Sequence, residues 1–272
     1  MALVVGVSDY PGALKLANPV NDANSISSAL KELNFEVITV LDPNRAEFID
    51  ALQAFERNMS GAEAALFYYS GHAIQLRGIN YLLPKDIRLD RDQNTFTLDA
   101  ITLQDVLDIM KEHAAIKLAF LDACRDNPYA ADLQRRMGMS GRSASVQRGL
   151  ARVLLDDGEL DTALVFAALP GKTASDGSGK NSPFTQAILQ NIRSPGATLD
   201  DLLNDVTRDV SDATNGEQIP ERVSRMKRKF VFSPALPESV PPHSRPDLAP
   251  AVPNDRCRSG NPPLECFMRE RR

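Results

Sequence analysis

The segment that most constrains this chain is Lys117-Leu118-Ala119-Phe120-Leu121-Asp122-Ala123-Cys124-Arg125-Asp126-Asn127-Pro128. Leu118 to Leu121 and Ala123 are apolar and interrupted only by Asp122. Such a run predicts a strand buried on both faces, as in a parallel sheet covered by helices. Cys124 then falls at the C-terminal mouth of the strand. Ligands of open α/β sheets bind at that mouth, where the loops leaving the strands splay apart. A second run, Ala64-Ala65-Leu66-Phe67-Tyr68-Tyr69, passes into Ser70-Gly71-His72-Ala73, so one of the chain's three histidines is expected to stop a buried strand.

Taken in order, the chain alternates strand and helix. A first core strand at 2–7 is followed by Asn18-Pro19, an N-cap with proline at the first helical position, and by apolar residues at helical spacing from Val20 to Leu33. A strand at 35–41 comes next. Asp42-Pro43-Asn44 then opens a helix to about Met59 that carries Phe48, Leu52 and Phe55 on one face. Ile74-Gln75-Leu76 and Asn80-Tyr81-Leu82-Leu83 read as a hairpin. Thr102 to Asp105 resembles a capping box and starts a helix to about His113, which leads into the Cys124 strand. After an irregular stretch come a strand at 162–168, helices starting at Ser182-Pro183 and Thr198, and a closing strand Lys229-Phe230-Val231-Phe232. This βαβ rhythm argues for a parallel sheet with helices on both faces. Residues 1–235 are expected to form one domain. Residues 236–272, rich in proline and poor in large apolar side chains, are expected to be a tail that cannot fold alone.

Charge and composition narrow the partners. With 31 basic and 36 acidic residues the net charge is -5, and no global basic field favours nucleic acid or an anionic membrane. No apolar run approaches the about 18 residues needed to span a bilayer. Met1 leads straight into the first strand without a basic leader, so a cytoplasmic location is the simplest expectation. Three cysteines, 124, 257 and 266, cannot all pair, and Cys124 has no neighbour at metal-ligand spacing, so neither a disulfide framework nor a metal site is expected. Gly6-Val7-Ser8-Asp9-Tyr10-Pro11-Gly12 lacks the spacing of a dinucleotide loop.

The chemistry follows from the two strand mouths. The thiolate is the nucleophilic form of cysteine, and an imidazole within reach takes its proton or holds the ion pair. His72 and Cys124 lie 52 positions apart, enough for one crossover that brings two strand ends side by side. Caspases combine a similar spacing, about 50 residues, with a Q-A-C-R-G motif, and Asp122-Ala123-Cys124-Arg125-Asp126 matches its A-C-R centre. With Tyr68-Tyr69-Ser70-Gly71-His72, Ala167-Ala168-Leu169-Pro170-Gly171 and Asn181-Ser182-Pro183-Phe184-Thr185, the chain over roughly residues 2 to 233 resembles the caspase-like cysteine peptidases. The likeness is to the bacterial branch near metacaspases and paracaspases.

That resemblance implies an α/β fold of the caspase–haemoglobinase type with a mostly parallel central sheet of about six strands. It implies a cysteine endopeptidase with His72 and Cys124 as its dyad. It also implies an oxyanion held by the backbone N–H groups of Cys124 and Ala73, the latter standing where the family usually has glycine. Three acids match paracaspase specificity-pocket positions, Asp22, Asp122 and Asp176, so protein or peptide substrates with Arg or Lys before the cut are expected. Asp122 has independent support, because residues two apart on a strand share a face.

Each assignment has a plainer rival. A buried cysteine can be a small core hydrophobe, Asp22 can complement a helix N-terminus, and Asp176-Gly177 can make a turn. His113 and His243 are assigned to structure and tail. No cofactor is expected, although acid pairs such as Asp156-Asp157 keep calcium activation open as in metacaspases. The segment 134–152, which is expected to be exposed, offers Arg135, Arg136, Arg142, Arg148 and Arg152 as self-cleavage sites for an enzyme that cuts after arginine. The alternative is a soluble connector. A catalytically silent scaffold that binds a partner through this segment or the tail is the rival to a peptidase.

Overall fold

The computed structural model describes residues 1–88, 97–124, 150, 151, 153–155, 160–170, 172 and 174–235, with Ala13 and Cys124 described by their backbone alone. The five arginines of the 134–152 segment, the Asp156-Asp157 pair and residues 236–272, with His243, lie outside these residues. Met1–Ala235 forms one compact unit. Among the described residues no helix is long and apolar enough to cross a membrane.

In chain order the elements are β1 (Ala2–Gly6), α1 (Pro19–Glu32), β2 (Val37–Leu41), α2 (Arg45–Asn58), β3 (Ala64–Leu76), β4 (Ile79–Leu82), β5 (Ile101–Thr102), α3 (Leu103–His113), β6 (Ile116–Cys124), β7 (Thr162–Phe166), α4 (Pro183–Asn191), α5 (Leu199–Ala213) and β8 (Glu221–Ser224). The sheet runs β2-β1-β3-β6-β7-β8. All neighbours in it are parallel except β8, which is antiparallel to β7. This is the mostly parallel α/β sheet that the alternating pattern implies. β4 pairs antiparallel with the far end of β3, and β5 with β4.

The strand pleat divides the core. Ala2 and Val4 of β1 pack with Ala23, Ile26 and Leu30 of α1 and with apolar residues of α4 and α5. Leu3 and Val5 pack on the opposite face with Phe48, Leu52 and Phe55 of α2 and with Val106 and Met110 of α3. Burying one such large side chain is worth about 1.5–3 kcal/mol, so both faces hold the sheet. The helix starts obey local capping chemistry. Asn44 and Glu47 close a reciprocal capping box on α2, and Thr198 and Asp201 close another on α5. Thr102 and Ser182 cap α3 and α4.

Three expectations need correction. His72 does not stop its strand, because β3 continues through all thirteen buried residues to Leu76. β1 pairs with β3 only as far as Ser70, and from Ala73 onward β4 takes its place as partner. Lys229–Phe232 is not the closing strand either. That role falls to β8, while Phe230 and Phe232 meet edge-on at 4.9 Å and Val231 keeps a single bridge to Thr198. Asn18 is not a capping side chain. Its backbone is helical, its amide donates to the Asp176 carbonyl, and Ser8 Oγ accepts the Val20 N–H at 3.1 Å instead.

Gly6 fixes how closely α1 lies on the sheet. A Cβ there would stand 2.7 Å from Ala23 Cβ and closer still to the Pro19 carbonyl oxygen. Gly6→Ala is expected to destabilise the chain by about 1–3 kcal/mol through overpacking, read as a lower midpoint in urea denaturation with unchanged slope.

Candidate active site

β3 and β6 pair over nine residues, from Ala64 opposite Ile116 to His72 opposite Cys124. Register partners on adjacent strands lie about 4.8 Å apart, so the ladder sets the backbone of Cys124 beside that of His72. The crossover between them holds β4, β5 and α3. His72 is 4% exposed. Its Nε2 lies 2.9 Å from the Leu14 carbonyl oxygen. A carbonyl only accepts, so Nε2 carries the hydrogen in the neutral ring and Nδ1 is the basic nitrogen. Burial lowers the pKa of His72, against the Leu14 bond and the Asp176 charge that raise it. The ring is therefore neutral at pH 7 and able to accept a proton.

The peptide after His72 is held just as firmly. The His72 carbonyl accepts from Leu83 N at 3.1 Å and Tyr69 Oη at 2.6 Å. Because a trans peptide is planar with C=O and N–H opposed, the Ala73 N–H points away from β4, toward the β6 side.

Asp22, Asp122 and Asp176 come from α1, β6 and the loop before α4, and the fold draws them together. Asp22 is fully buried and Asp122 is 6% exposed, while Asp176 is half-buried. Asp22 Oδ1 accepts from Asn181 Nδ2 at 2.9 Å and Ser182 N at 3.0 Å, and its Oδ2 from Ser70 Oγ at 3.2 Å. None of these partners belongs to α1, so the carboxylate does more than complement its own helix. Asp122 Oδ2 accepts from Thr185 Oγ1 at 2.7 Å and from Ser182 Oγ. Asp176 Oδ2 accepts the Ala17 N–H at 2.8 Å, and the turn at Gly177, with φ +77°, is present as well. Ser182 thus caps α4 and joins Asp22 to Asp122. Its capping role is visible in the sequence, but the bridge is not, and neither are Ser70, Asn181, Thr185 or the Leu14 carbonyl.

These acids repel one another. Burial, reinforced by the Asp122 charge, raises Asp22 to about 7 against the bonds from Asn181, Ser182 and Ser70. Burial raises Asp122 to about 6 against its bonds from Ser182 and Thr185, with Asp176 adding to the rise. Among the described residues no ion pair engages Asp22 or Asp122. Two buried carboxyls without a cation are costly, and a guanidinium offering paired hydrogen bonds is the group that would relieve them. A cavity of about 710 Å³ beyond the same loop is lined by Ser175 and Gly177, whereas Asp176 turns its carboxylate to Ala17. That cavity is separate from the acid cluster.

The caspase-domain family of peptidases (Peptidase_C14) matches residues 1–232. The chain belongs to the caspase family. Over 127 residues it is 28% identical to the human and mouse mucosa-associated lymphoid tissue lymphoma translocation protein 1, a match covering 46% of this chain but only 15% of either relative. Caspase-1 from Spodoptera frugiperda has the same fold at 18% identity and TM-score 0.59, covering 87% of this chain and 90% of that one. A protein from Geobacter sulfurreducens aligns with TM-score 0.60 at 15% identity, covering 87% and 99%. As a caspase-family chain, the molecule has the scaffold of a cysteine peptidase.

The acid cluster sets a pH dependence of stability. A carboxyl raised in the folded state binds its proton more tightly there than in the unfolded chain. Its contribution is therefore complete below about pH 4 and is lost as pH rises through 6 to 7. Asp122→Asn keeps an acceptor for Ser182 and Thr185 and removes the charge. It is expected to stabilise the chain by roughly 2–3 kcal/mol at pH 8 and by little at pH 4, read from denaturant midpoints at the two pH values.

Proposed function

We propose that this chain is a cysteine endopeptidase that cuts after Arg or Lys. The observation that carries this reading is the buried Asp22–Asp122 pair, which meets no cation among the described residues and lies close to a strand register that sets the backbone of His72 beside that of Cys124. In this reading the Cys124 thiol gives its proton to His72 Nδ1 and attacks the scissile carbonyl carbon. The resulting oxyanion is held by the N–H groups of Ala73 and Cys124. The imidazolium then protonates the leaving amine, and water activated by the neutral ring hydrolyses the thioester.

The cationic side chain before the cut enters toward Asp122 and its companions. Among the described residues Asp122 Oδ1 takes no hydrogen bond, which leaves it to the incoming guanidinium or ammonium. Binding favours the ionised acids, so kcat/KM for Arg substrates rises as pH climbs from about 5 to 8. Asp-directed substrates meet only repulsion there.

Cys124→Ala is expected to abolish turnover while the chain stays folded, and His72→Ala to lower it by at least about 10³-fold. A fluorogenic peptide panel with Arg, Lys or Asp before the cut, run with and without calcium, checks both catalysis and specificity. Asp122→Asn should cost Arg substrates about 2–5 kcal/mol in kcat/KM. Preferential cleavage after Asp, or activity retained in Cys124→Ala, contradicts the reading.

Self-cleavage after an arginine between 135 and 152 follows from the same specificity. Intact-mass analysis of the wild type beside Cys124→Ala decides it. A wild-type chain that stays whole, or equal nicking of both proteins, excludes self-processing.

A further inference from the structure

Around His72 the antiparallel ladder contains an irregularity that the strand pattern does not explain. The paired register of β3 and β4 ends at Ala73 opposite Leu82, and one residue further on Leu83 N donates to the His72 carbonyl at 3.1 Å. Between His72 N and the Leu83 carbonyl stands the Tyr10 hydroxyl. His72 N donates to Tyr10 Oη at 2.9 Å, and Tyr10 Oη donates to the Leu83 carbonyl at 2.9 Å. Tyr69 Oη sits 3.1 Å from Tyr10 Oη and donates to the His72 carbonyl at 2.6 Å. Both tyrosines are buried, Tyr10 at 1% exposure and Tyr69 at 0%.

Each phenol has one hydrogen. The shortest contacts assign that of Tyr69 to the His72 carbonyl and that of Tyr10 to the Leu83 carbonyl. The pair therefore holds the peptide planes on both sides of His72, while the Tyr10 ring leans on the imidazole with centroids 4.6 Å apart. Gly71 makes room for both hydroxyls. Its φ is +156°, and a Cβ there would stand 2.8 Å from Tyr10 Oη and 2.8 Å from Tyr69 Oη.

We infer that Tyr10 and Tyr69 are positioning residues for catalysis, acting through the backbone of His72. The Tyr69 hydroxyl and Leu83 N–H both pull on the His72 carbonyl. The planar peptide carries that constraint to the Ala73 N–H, directing it toward the β6 side and making it a stronger donor. The Tyr10 hydroxyl and ring fix the preceding peptide and the imidazole, which Leu14 anchors from its Nε2 side. The two tyrosines thus couple the orientation of the base to that of an oxyanion donor, and neither touches the substrate. This deepens the peptidase reading and rests on it.

The test uses the full chain and the variants Tyr10→Phe and Tyr69→Phe, each of which keeps its ring. Gly71→Ala displaces both hydroxyls without removing either. Phe48→Leu, which alters the ring stacked 6.2 Å from Tyr69, serves as a packing control. Turnover of an Arg peptide is measured well below each variant's melting midpoint and normalised to active sites titrated with an arginyl chloromethyl ketone. Loss of an oxyanion donor lowers kcat by about 10²–10³-fold, and misdirecting one is expected to lower it by about tenfold or more, with KM within about twofold. Inhibition by an arginyl aldehyde, whose thiol adduct carries the oxyanion, should weaken in parallel. Phe48→Leu should melt lower and keep kcat per titrated site.

Tyrosine variants with wild-type kcat per site overturn the inference and leave the peptidase reading standing. An equal kcat loss in Phe48→Leu overturns it too, since packing alone would then explain the effect. A wild-type chain that neither turns over nor is titrated overturns the peptidase reading, and the inference with it.

Discussion

The site depends on the parallel ladder between β3 and β6. Both strands are buried on their two faces, so the choice of face for each side chain is enforced by the cores above and below. A slip of one residue would exchange the faces of every β6 side chain and drive Asp122 into the apolar layer under α2 and α3. There it would find neither Ser182 nor Thr185, and a buried carboxyl without such partners costs several kcal/mol. The same polar residue that interrupts the apolar run thus pins the register, and the register sets the backbone of Cys124 beside His72.

A second constraint acts across the sheet. Asp22, Asp122 and Asp176 arrive on three separate elements, and Ser182 ties the first two together from the N-terminus of α4. Its carboxyls accept bonds from Ser70, Asn181, Ser182 and Thr185, and among the described residues no ion pair engages Asp22 or Asp122, so the pair weakens the fold at neutral pH. A structural network of this size would more economically use amides or hydroxyls in place of carboxylates.

Much of the scaffold was legible in the sequence. The apolar runs at 64–69 and 118–123, the helical spacing of Phe48, Leu52 and Phe55, and the caps at Asn44, Ser182 and Thr198 all gave elements where the structure has them. Each of these signals acts within a few residues. The errors have the same origin seen from the other side. Ser-Gly-His looked like a strand end because nothing local reveals that β4 will continue the ladder past Ser70. Glu221-Arg222-Val223-Ser224 has one large apolar residue and was passed over, although an edge strand needs little more. Asn18 had the right chemistry for a cap and the wrong backbone, since Asp176 drew its amide away.

What the sequence determined by itself is therefore the type and order of most of the elements, and the placing of a histidine and a cysteine on two buried strands. Periodicity and capping are short-range effects and are written in consecutive residues. What only the tertiary structure decided is which of these groups meet. His72 and Cys124 are paired by register across 52 positions, and Asp22 meets Ser182 across 160. The Tyr10 and Tyr69 hydroxyls reach the peptides on both sides of His72 from 62 and 3 positions away. Such contacts are selected by the packing of a whole sheet between two layers of helices, and no stretch of consecutive residues carries that information.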